Sequence, residues 1–317
     1  MKPETKQFNT LVGNKHITFE TGRLAGLAGG AVTVRLGDTM IFAAATISPD
    51  IRAGIDFFPL TVDYEERMYA GGRIPGSFFR REGRPSEEAI LIARLTDRPL
   101  RPLFPKDMRN DVQVILYSFS VDGENPIDIL AINAASAALM ISDAPWAGPV
   151  AAVRVGRIDG QLIINPTILE QETSDLDLRL AGTRDAILMV ECGAKEVPET
   201  VMVEALNFGH QAIQPLIDTM EQMAREVGKT KISYTPFSTS ESLQAQVNDL
   251  AAARLNDIFQ QATSKAETNE AIHALETEIV TSLSAGDAVV AAEVKSAFEN
   301  SLKYVVRQRI IDRCLVE

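Results

Sequence analysis

The segment Arg67 to Arg109, RMYAGGRIPGSFFRREGRPSEEAILIARLTDRPLRPLFPKDMR, concentrates the residues of this sequence best suited to hold a polyanion. Nine arginines and Lys106 stand against five acids, Glu82, Glu87, Glu88, Asp97 and Asp107, a local charge of +5 in a chain of -12, which leaves -17 for the remainder. Arginine outnumbers lysine nine to one there, and a guanidinium presents a planar fork to phosphate oxygens and stacks on bases, whereas an ammonium is a point charge. Within the segment, Gly76 to Pro85 sets Phe78 and Phe79 beside Arg80, Arg81 and Arg84 in a loop bounded by Gly and Pro. Single-stranded nucleic acid is bound by that combination: an aromatic face contributes roughly 1–3 kcal/mol per stacked base while cations follow the backbone. Composition leaves a second reading open, in which both phenylalanines plug the core and the arginines pair with Glu82, Glu87 and Glu88. Arg94, Arg98 and Arg101 follow in IARLTDRPLRPLFP. Some of them would hold Asp97 or cap carbonyls, and Arg94 and Arg98, four apart on one helical face, could also point toward the same phosphate path.

Other chemistries find little support. The stretch Gly22 to Gly30 is glycine-rich but precedes a strand and lacks the Gly-Lys-Ser/Thr ending of a phosphate-binding loop. His16, His210 and His273 are isolated, and no zinc-protease or serine-hydrolase motif occurs. Cys192 and Cys314 lack metal or redox spacing and read as reduced thiols. Trp146, between Pro145 and Gly148, reads as packing.

The elements that must position the arginines begin with hairpins. Gly13-Asn14 separates Phe8–Val12 from His16–Phe19, Gly37-Asp38 separates Val32–Leu36 from Thr39–Ala44, and Asp159-Gly160 separates Val150–Ile158 from Gln161–Ile164. A fourth pair, Leu176–Ala181 and Ile187–Val190, flanks Thr183-Arg184-Asp185. Asp128–Ser142, rich in Ala and large aliphatics, predicts a helix packed closely on a sheet, with Asp128 as its N-cap. Thr200–Val227 predicts a second long helix, kinked or broken at Pro215 and ended by Gly228. Strands outnumber helices and hairpins outnumber crossovers, so residues 1–235 are expected to form an α+β domain.

After Pro236 the last 81 residues contain no Pro and the single Gly286, which predicts a small all-helical domain over 236–317. Ser238 and Glu241 have capping-box spacing. Leu243, Val247, Leu250, Leu255 and Ile258 form one apolar stripe, Ile272, Leu275, Ile279 and Leu283 a second, and Val290, Val294, Ala297 and Val305 a third.

At 317 residues and 45% hydrophobic content the chain can bury a sizeable core. Its net charge of -12 argues against a protein that coats nucleic acid nonspecifically, so a polyanion must meet a local basic patch. The N-terminus lacks the apolar core of a secretory signal, and no run of about 18 apolar residues follows, so a cytoplasmic protein without a membrane span is expected.

The runs Phe57–Val62, Arg73–Glu87 (RIPGSFFRREGRPSE) and Arg94–Pro105 (RLTDRPLRPLFP) closely resemble the bacterial polynucleotide phosphorylase family, and the likeness extends over the whole chain. It implies a ribonuclease PH-type first core and a helical domain; in the family a second such core and two small RNA-binding modules follow. It further implies a ring of three chains around a channel into which single-stranded RNA threads from its 3′ end. Family members remove terminal nucleotides reversibly with inorganic phosphate, release nucleoside diphosphates and use magnesium. By the same resemblance Phe78 and Phe79 would line the channel constriction, and Arg80, Arg81 and Arg84 would bind the RNA backbone. Arg94, Arg98 and Arg101 occupy matching family positions.

The phosphorolytic centre itself is expected elsewhere. Where the family's catalytic core has a Ser-rich phosphate turn, this sequence reads Asp122-Gly-Glu-Asn-Pro-Ile-Asp128, whose three acids would repel phosphate. The family's Asp/Asp/Lys metal motif corresponds to Gln171, Asp177 and Arg179, with Asp175 and Asp177 left on what reads as an exposed strand edge. The chain stops at Asp312–Glu317 without a Gly, Pro or polar tail, an odd place for a natural end. Two functions remain: a segment of a phosphorolytic 3′-to-5′ exoribonuclease of mRNA degradation, inactive alone and a partner of RNA-degradation complexes, or a stand-alone RNA-binding or scaffold subunit.

Overall fold

The computed structural model describes residues 4–52, 55, 57–74, 76, 84–237, 239–261, 264–284 and 286–313. The chain divides into two compact units, one of residues 1–50, 59–106 and 110–234, the other of 51–58, 107–109 and 235–317.

The first unit runs β1 (Lys6–Val12), β2 (Lys15–Thr21), β3 (Gly30–Leu36), β4 (Thr39–Ile47), β5 (Leu60–Glu65), α1 (Glu87–Leu100), β6 (Val112–Ser120), α2 (Asp128–Ile141), β7 (Ala151–Ile158), β8 (Gln161–Ile164), α3 (Ile168–Thr173), β9 (Leu176–Gly182), β10 (Ile187–Ala194), α4 (Glu199–Ala212) and α5 (Gln214–Val227). It is a mixed α+β core. One sheet has the order β1-β2-β3-β4-β6-β5, antiparallel except where β5 joins β6 in parallel at the edge. The second, β10-β9-β7-β8, is antiparallel throughout. The hairpin between β7 and β8 turns through Asp159 and Gly160, both at positive φ, as a turn matching strand twist requires.

Between these strands α2 is buried on nearly every side, which is why its sequence shows no polar face. It packs on β3, β4, β7 and α5. A Cβ on Gly30 would lie 2.1 Å from the Ala138 carbonyl oxygen, so only glycine lets β3 approach this helix so closely. The few polar residues of α2 satisfy the second sheet. The Asn133 amide donates to the Ala152 carbonyl at 3.0 Å and accepts its N–H at 2.9 Å, and Ser136 Oγ accepts from the Val150 N–H at 3.0 Å.

One sequence expectation needs correction here. Asp128 is not the cap of α2; Ile127 holds that position, and the Asp128 carboxylate is drawn to two arginines. Of the kink or break expected at Pro215, the structure has the break: the chain leaves the helix at Ile213, and Pro215 opens α5 within its first turn.

The second unit contains α6 (Glu241–Gln261), α7 (Lys265–Ser284) and α8 (Ala288–Arg313). Val247, Ala251, Leu255, Leu275, Ile279, Val294, Ala297, Phe298 and Val305 form its core. Leu250, expected inside, is 45% exposed; Ala251 takes the inward position in register with Val247 and Leu255. Ser238 lies outside the described residues, and the Leu243 N–H donates instead to Ser240 Oγ at 3.3 Å. Among the described residues, no helix is long and apolar enough to cross a membrane.

Candidate nucleic-acid interface

Phe78, Phe79, Arg80 and Arg81 lie outside the described residues, and the interface is built from what flanks them. Arg84 is exposed two residues before Ser86, whose Oγ caps α1 by accepting the Ala89 N–H at 3.0 Å. Glu87 and Glu88 occupy the first turn of that helix, where its dipole favours acids. Among the described residues, neither holds an arginine.

The arginines of α1 and its C-terminal end have separate fates. Arg101 grips Asp97 with two bonds, Nε to Oδ2 at 3.0 Å and Nη2 to Oδ1 at 2.7 Å, and donates to the Leu60 carbonyl at 3.0 Å, tying the helix end to the start of β5. Arg98 turns to Glu191 on β10 at 2.5 Å. Arg94 is exposed and lines a groove of about 390 Å³ between β5 and α1. Next to it a cleft of about 970 Å³ is lined by Arg67, Arg73 and Arg84 with Tyr64, Ser118 and Asp122. Arg67 stacks on the Tyr117 ring at 5.3 Å and pairs with Glu65. Arg73 was missed as a site residue, although no acid lies within four positions of it in the sequence.

At one end of the cleft, the turn that begins at Asp122 is closed by its own carboxylate. Asp122 Oδ1 accepts the N–H groups of Glu124 and Asn125, both at 2.8 Å, and Oδ2 accepts Asn125 Nδ2 at 2.8 Å and the N–H groups of Asp38 and Thr39 at 3.2 Å. Burial pushes the Asp122 pKa up, but these bonds outweigh it and hold the carboxyl well below the usual range. The backbone donors a phosphate would need are therefore already taken. Lys15 reaches the same turn from the β1–β2 hairpin, donating to Asn125 Oδ1 at 3.0 Å. Burial lowers its pKa, and Glu170, Asp122 and Glu124 only partly offset that.

The candidate metal positions are likewise committed. Asp177 sits on β9, an inner strand of its sheet and not the exposed edge expected from sequence. Its two oxygens accept Arg154 Nε and Nη2 at 2.6 and 3.0 Å, and Arg179 stands 3.4 Å away. Asp128 Oδ2 is shared by Arg179 at 2.9 Å and Arg154 at 3.5 Å, and Arg179 continues to Glu191 at 3.3 Å. Asp175 pairs with Arg157 at 2.8 Å, while Gln171, on α3, donates to the Pro166 carbonyl at 3.1 Å. Burial raises the Asp177 pKa, but the bonds and charge of Arg154, with the charge of Arg179, bring it below the ordinary carboxylate value. A divalent cation of the magnesium type needs carboxylate oxygens to spare. These residues do not fit one, and among the described residues no group of three or more acidic, His or Cys side chains could hold a metal.

Trp146 is buried against Phe104 and donates to the Leu100 carbonyl at 3.0 Å. His210 contacts the Thr183 carbonyl at 3.0 Å, His273 approaches Glu276 at 3.4 Å, and Cys192 is an exposed free thiol.

The fold is that of a ribonuclease PH-type core followed by a helical unit. Residues 13–145 match the family described as "3' exoribonuclease family, domain 1", residues 148–212 match its domain 2, and residues 242–315 match "Polyribonucleotide nucleotidyltransferase, RNA binding domain". Solved structures share the fold: rice (Oryza sativa) Rrp46, with TM-score 0.54 and 16% identity over 71% of this chain and 96% of that one, and an archaeal exosome core, with TM-score 0.50 and 15% identity over 69% and 87%. A polyribonucleotide nucleotidyltransferase of Roseiflexus sp. (strain RS-1) is 48% identical over 95% of this chain, and one of Heliobacterium modesticaldum is 46% identical over 96%. The chain belongs to the polyribonucleotide nucleotidyltransferase family. It spans 41% and 43% of the length of those two relatives.

Proposed function

We propose that this chain is the RNA-gripping and ring-forming segment of a phosphate-dependent 3′-to-5′ exoribonuclease of mRNA degradation, and that it supplies no phosphorolytic chemistry of its own. In the whole enzyme, phosphate attacks the terminal phosphodiester, the bond from that phosphorus to the 3′ oxygen breaks, and a nucleoside diphosphate leaves. The observation that supports the division of labour is the ion network of Arg154, Arg179, Asp128 and Asp177, in which arginines occupy the carboxylate oxygens that a metal ion would need. Magnesium and phosphate are accordingly assigned to a second core outside this chain. Residues 1–235 form the first core and 236–317 the helical domain, within a cytoplasmic homotrimer that can join RNA-degradation complexes. Phe78, Phe79, Arg80, Arg81, Arg84 and Arg94 contact single-stranded RNA; Arg98 and Arg101 act from their ion pairs with Glu191 and Asp97. The identity of 48% to a full-length relative favours this reading over a stand-alone scaffold subunit.

Titrating the chain with labelled oligoadenylate at several salt concentrations tests the reading, because each phosphate contact to a single strand contributes about 0.7 to the slope of log affinity against log salt. Replacing Arg80 and Arg81 by Ala is expected to lower both affinity and slope. Binding unaltered by the double substitution would assign that loop to structure instead.

A further inference from the structure

The carboxyl end of α2 is served by a segment that belongs to no helix or strand. Residues 228–234 leave α5 at Gly228 and donate to five consecutive carbonyls. The Lys229 N–H reaches the Ile141 carbonyl at 3.0 Å and the Ile232 N–H reaches that of Asp143 at 2.8 Å. Between them the Lys231 ammonium divides its protons among the carbonyls of Leu139, Met140 and Ser142, at 2.9, 3.0 and 2.7 Å. Lys229 Nζ adds a bond to the Ala28 carbonyl at 2.9 Å. The last four carbonyls of a helix have no donors within it, and α2 is too deeply set in the core to leave all of its own to water.

The place that Lys231 Nζ occupies has the chemistry of a cation site. Three carbonyl oxygens converge on it, as they do where backbone carbonyls replace the hydration shell of a monovalent ion, and the negative end of the helix dipole lies behind them. An ammonium suits it, having three donors and no acceptor. Asp143 adds a carboxylate just past the helix; its Oδ1 is buried and, among the described residues, has no hydrogen-bond partner. Burial lowers the Lys231 pKa, and the charge of Asp143 opposes that. Two glycines of the 22–30 stretch make room for the arrangement. A Cβ on Gly29 would lie 2.7 Å from Asp143 Oδ1, and one on Gly30 would lie 2.9 Å from the Ser142 nitrogen.

We infer that the carboxyl end of α2 is a site for a small monovalent cation of the ammonium type, that Lys231 fills it with its own amine, and that this occupancy latches residues 228–234 as a strap. The strap leads directly to Thr235, where the second unit begins, so the latch fixes the point at which the chain leaves the first unit. Neutral side chains of similar length leave the cup empty and the strap held by two backbone bonds.

Residue-resolved hydrogen exchange on the 317-residue chain tests this. In the parent, the amides of Lys229 and Ile232 should exchange more slowly than those of Thr230 and Ser233, for which the structure shows no acceptor among the described residues; equal rates would mean that the strap is not closed. Lys231→Ala is expected to speed exchange at Lys229 and Ile232 about 10-fold, while the Ala152 amide, bonded to Asn133, keeps its parent rate. Ammonium chloride should slow the two strap amides of the variant again, and tetramethylammonium chloride at equal concentration should not. Strap amides that keep the parent rate in Lys231→Ala would overturn the latch. A variant that opens but is not closed by ammonium would overturn the cation site. Should Lys231→Ala fail to fold, refolding in ammonium chloride and not in tetramethylammonium chloride supports the same site, and failure in both refutes it.

Discussion

Arg154→Met probes the ion network directly. The Arg154 side chain is 7% exposed and reaches Asp177 at 2.6 and 3.0 Å and Asp128 at 3.5 Å. Removing one partner of a buried pair costs roughly 3–5 kcal/mol, because the other charge is left uncompensated. Two features reduce that figure here: Asp177 is 38% exposed, and Arg179 still stands 3.4 Å from Asp177 and 2.9 Å from Asp128. A loss of about 2–3 kcal/mol is expected, or a fall in melting temperature of about 5–10 °C for a unit of this size. The pH dependence has a definite sign. The folded pKa of Asp177 lies below its unfolded value, so its stabilisation is complete above the unfolded value of about 3.9 and is lost as pH falls through the folded one. The gap between parent and variant, followed by circular dichroism melts, should be widest near neutrality and should shrink in acid. A variant within about 0.5 kcal/mol of the parent at neutral pH would refute the claim that these carboxylates are held by Arg154.

Gly30→Ala places a methyl 2.1 Å from the Ala138 carbonyl and is expected to cost about 1–3 kcal/mol in urea denaturation; an unchanged midpoint would mean that β3 and α2 are not in close contact. Phe298→Ala empties the centre of the helical core, where the ring is 1% exposed, and should destabilise that unit by about 3–5 kcal/mol. Its signature is early loss of helical signal in a thermal melt, and a parent-like melt would displace Phe298 from the core.

Much of the fold was legible because its signals are local. Gly13, Gly37 and Asp159-Gly160 sit between alternating runs and turn where expected, and the Ala- and aliphatic-rich character of 128–142, without a polar face, reports a helix buried on nearly every side. Errors arose where tertiary partners decide. Asp128 has the chemistry of a cap, but two arginines from outside the helix, one on β7 and one on β9, take its carboxylate. Leu250 fits an apolar stripe by type, yet Ala251 holds the inward register with Val247 and Leu255, and Phe298, one step beyond Ala297, was overlooked. For the site, sequence located the basic segment but could not separate its arginines. Arg98 and Arg101 resemble Arg94 in spacing and type; Glu191, from a distant strand, and Asp97, one helical turn back, decide which of them remain available. The self-closed Asp122 turn was legible only as excess acidity, since its five donors come from the turn's own backbone, the Asn125 side chain and the neighbouring hairpin.

The central claim separates RNA holding from bond breaking within this polypeptide. Incubating the purified chain with labelled oligoadenylate, inorganic phosphate and magnesium, while following both complex formation and nucleoside diphosphate, tests it most directly. The expected result is a salt-sensitive complex from which the RNA is recovered at its original length. Release of diphosphate in at least stoichiometric amount by the pure chain would contradict it.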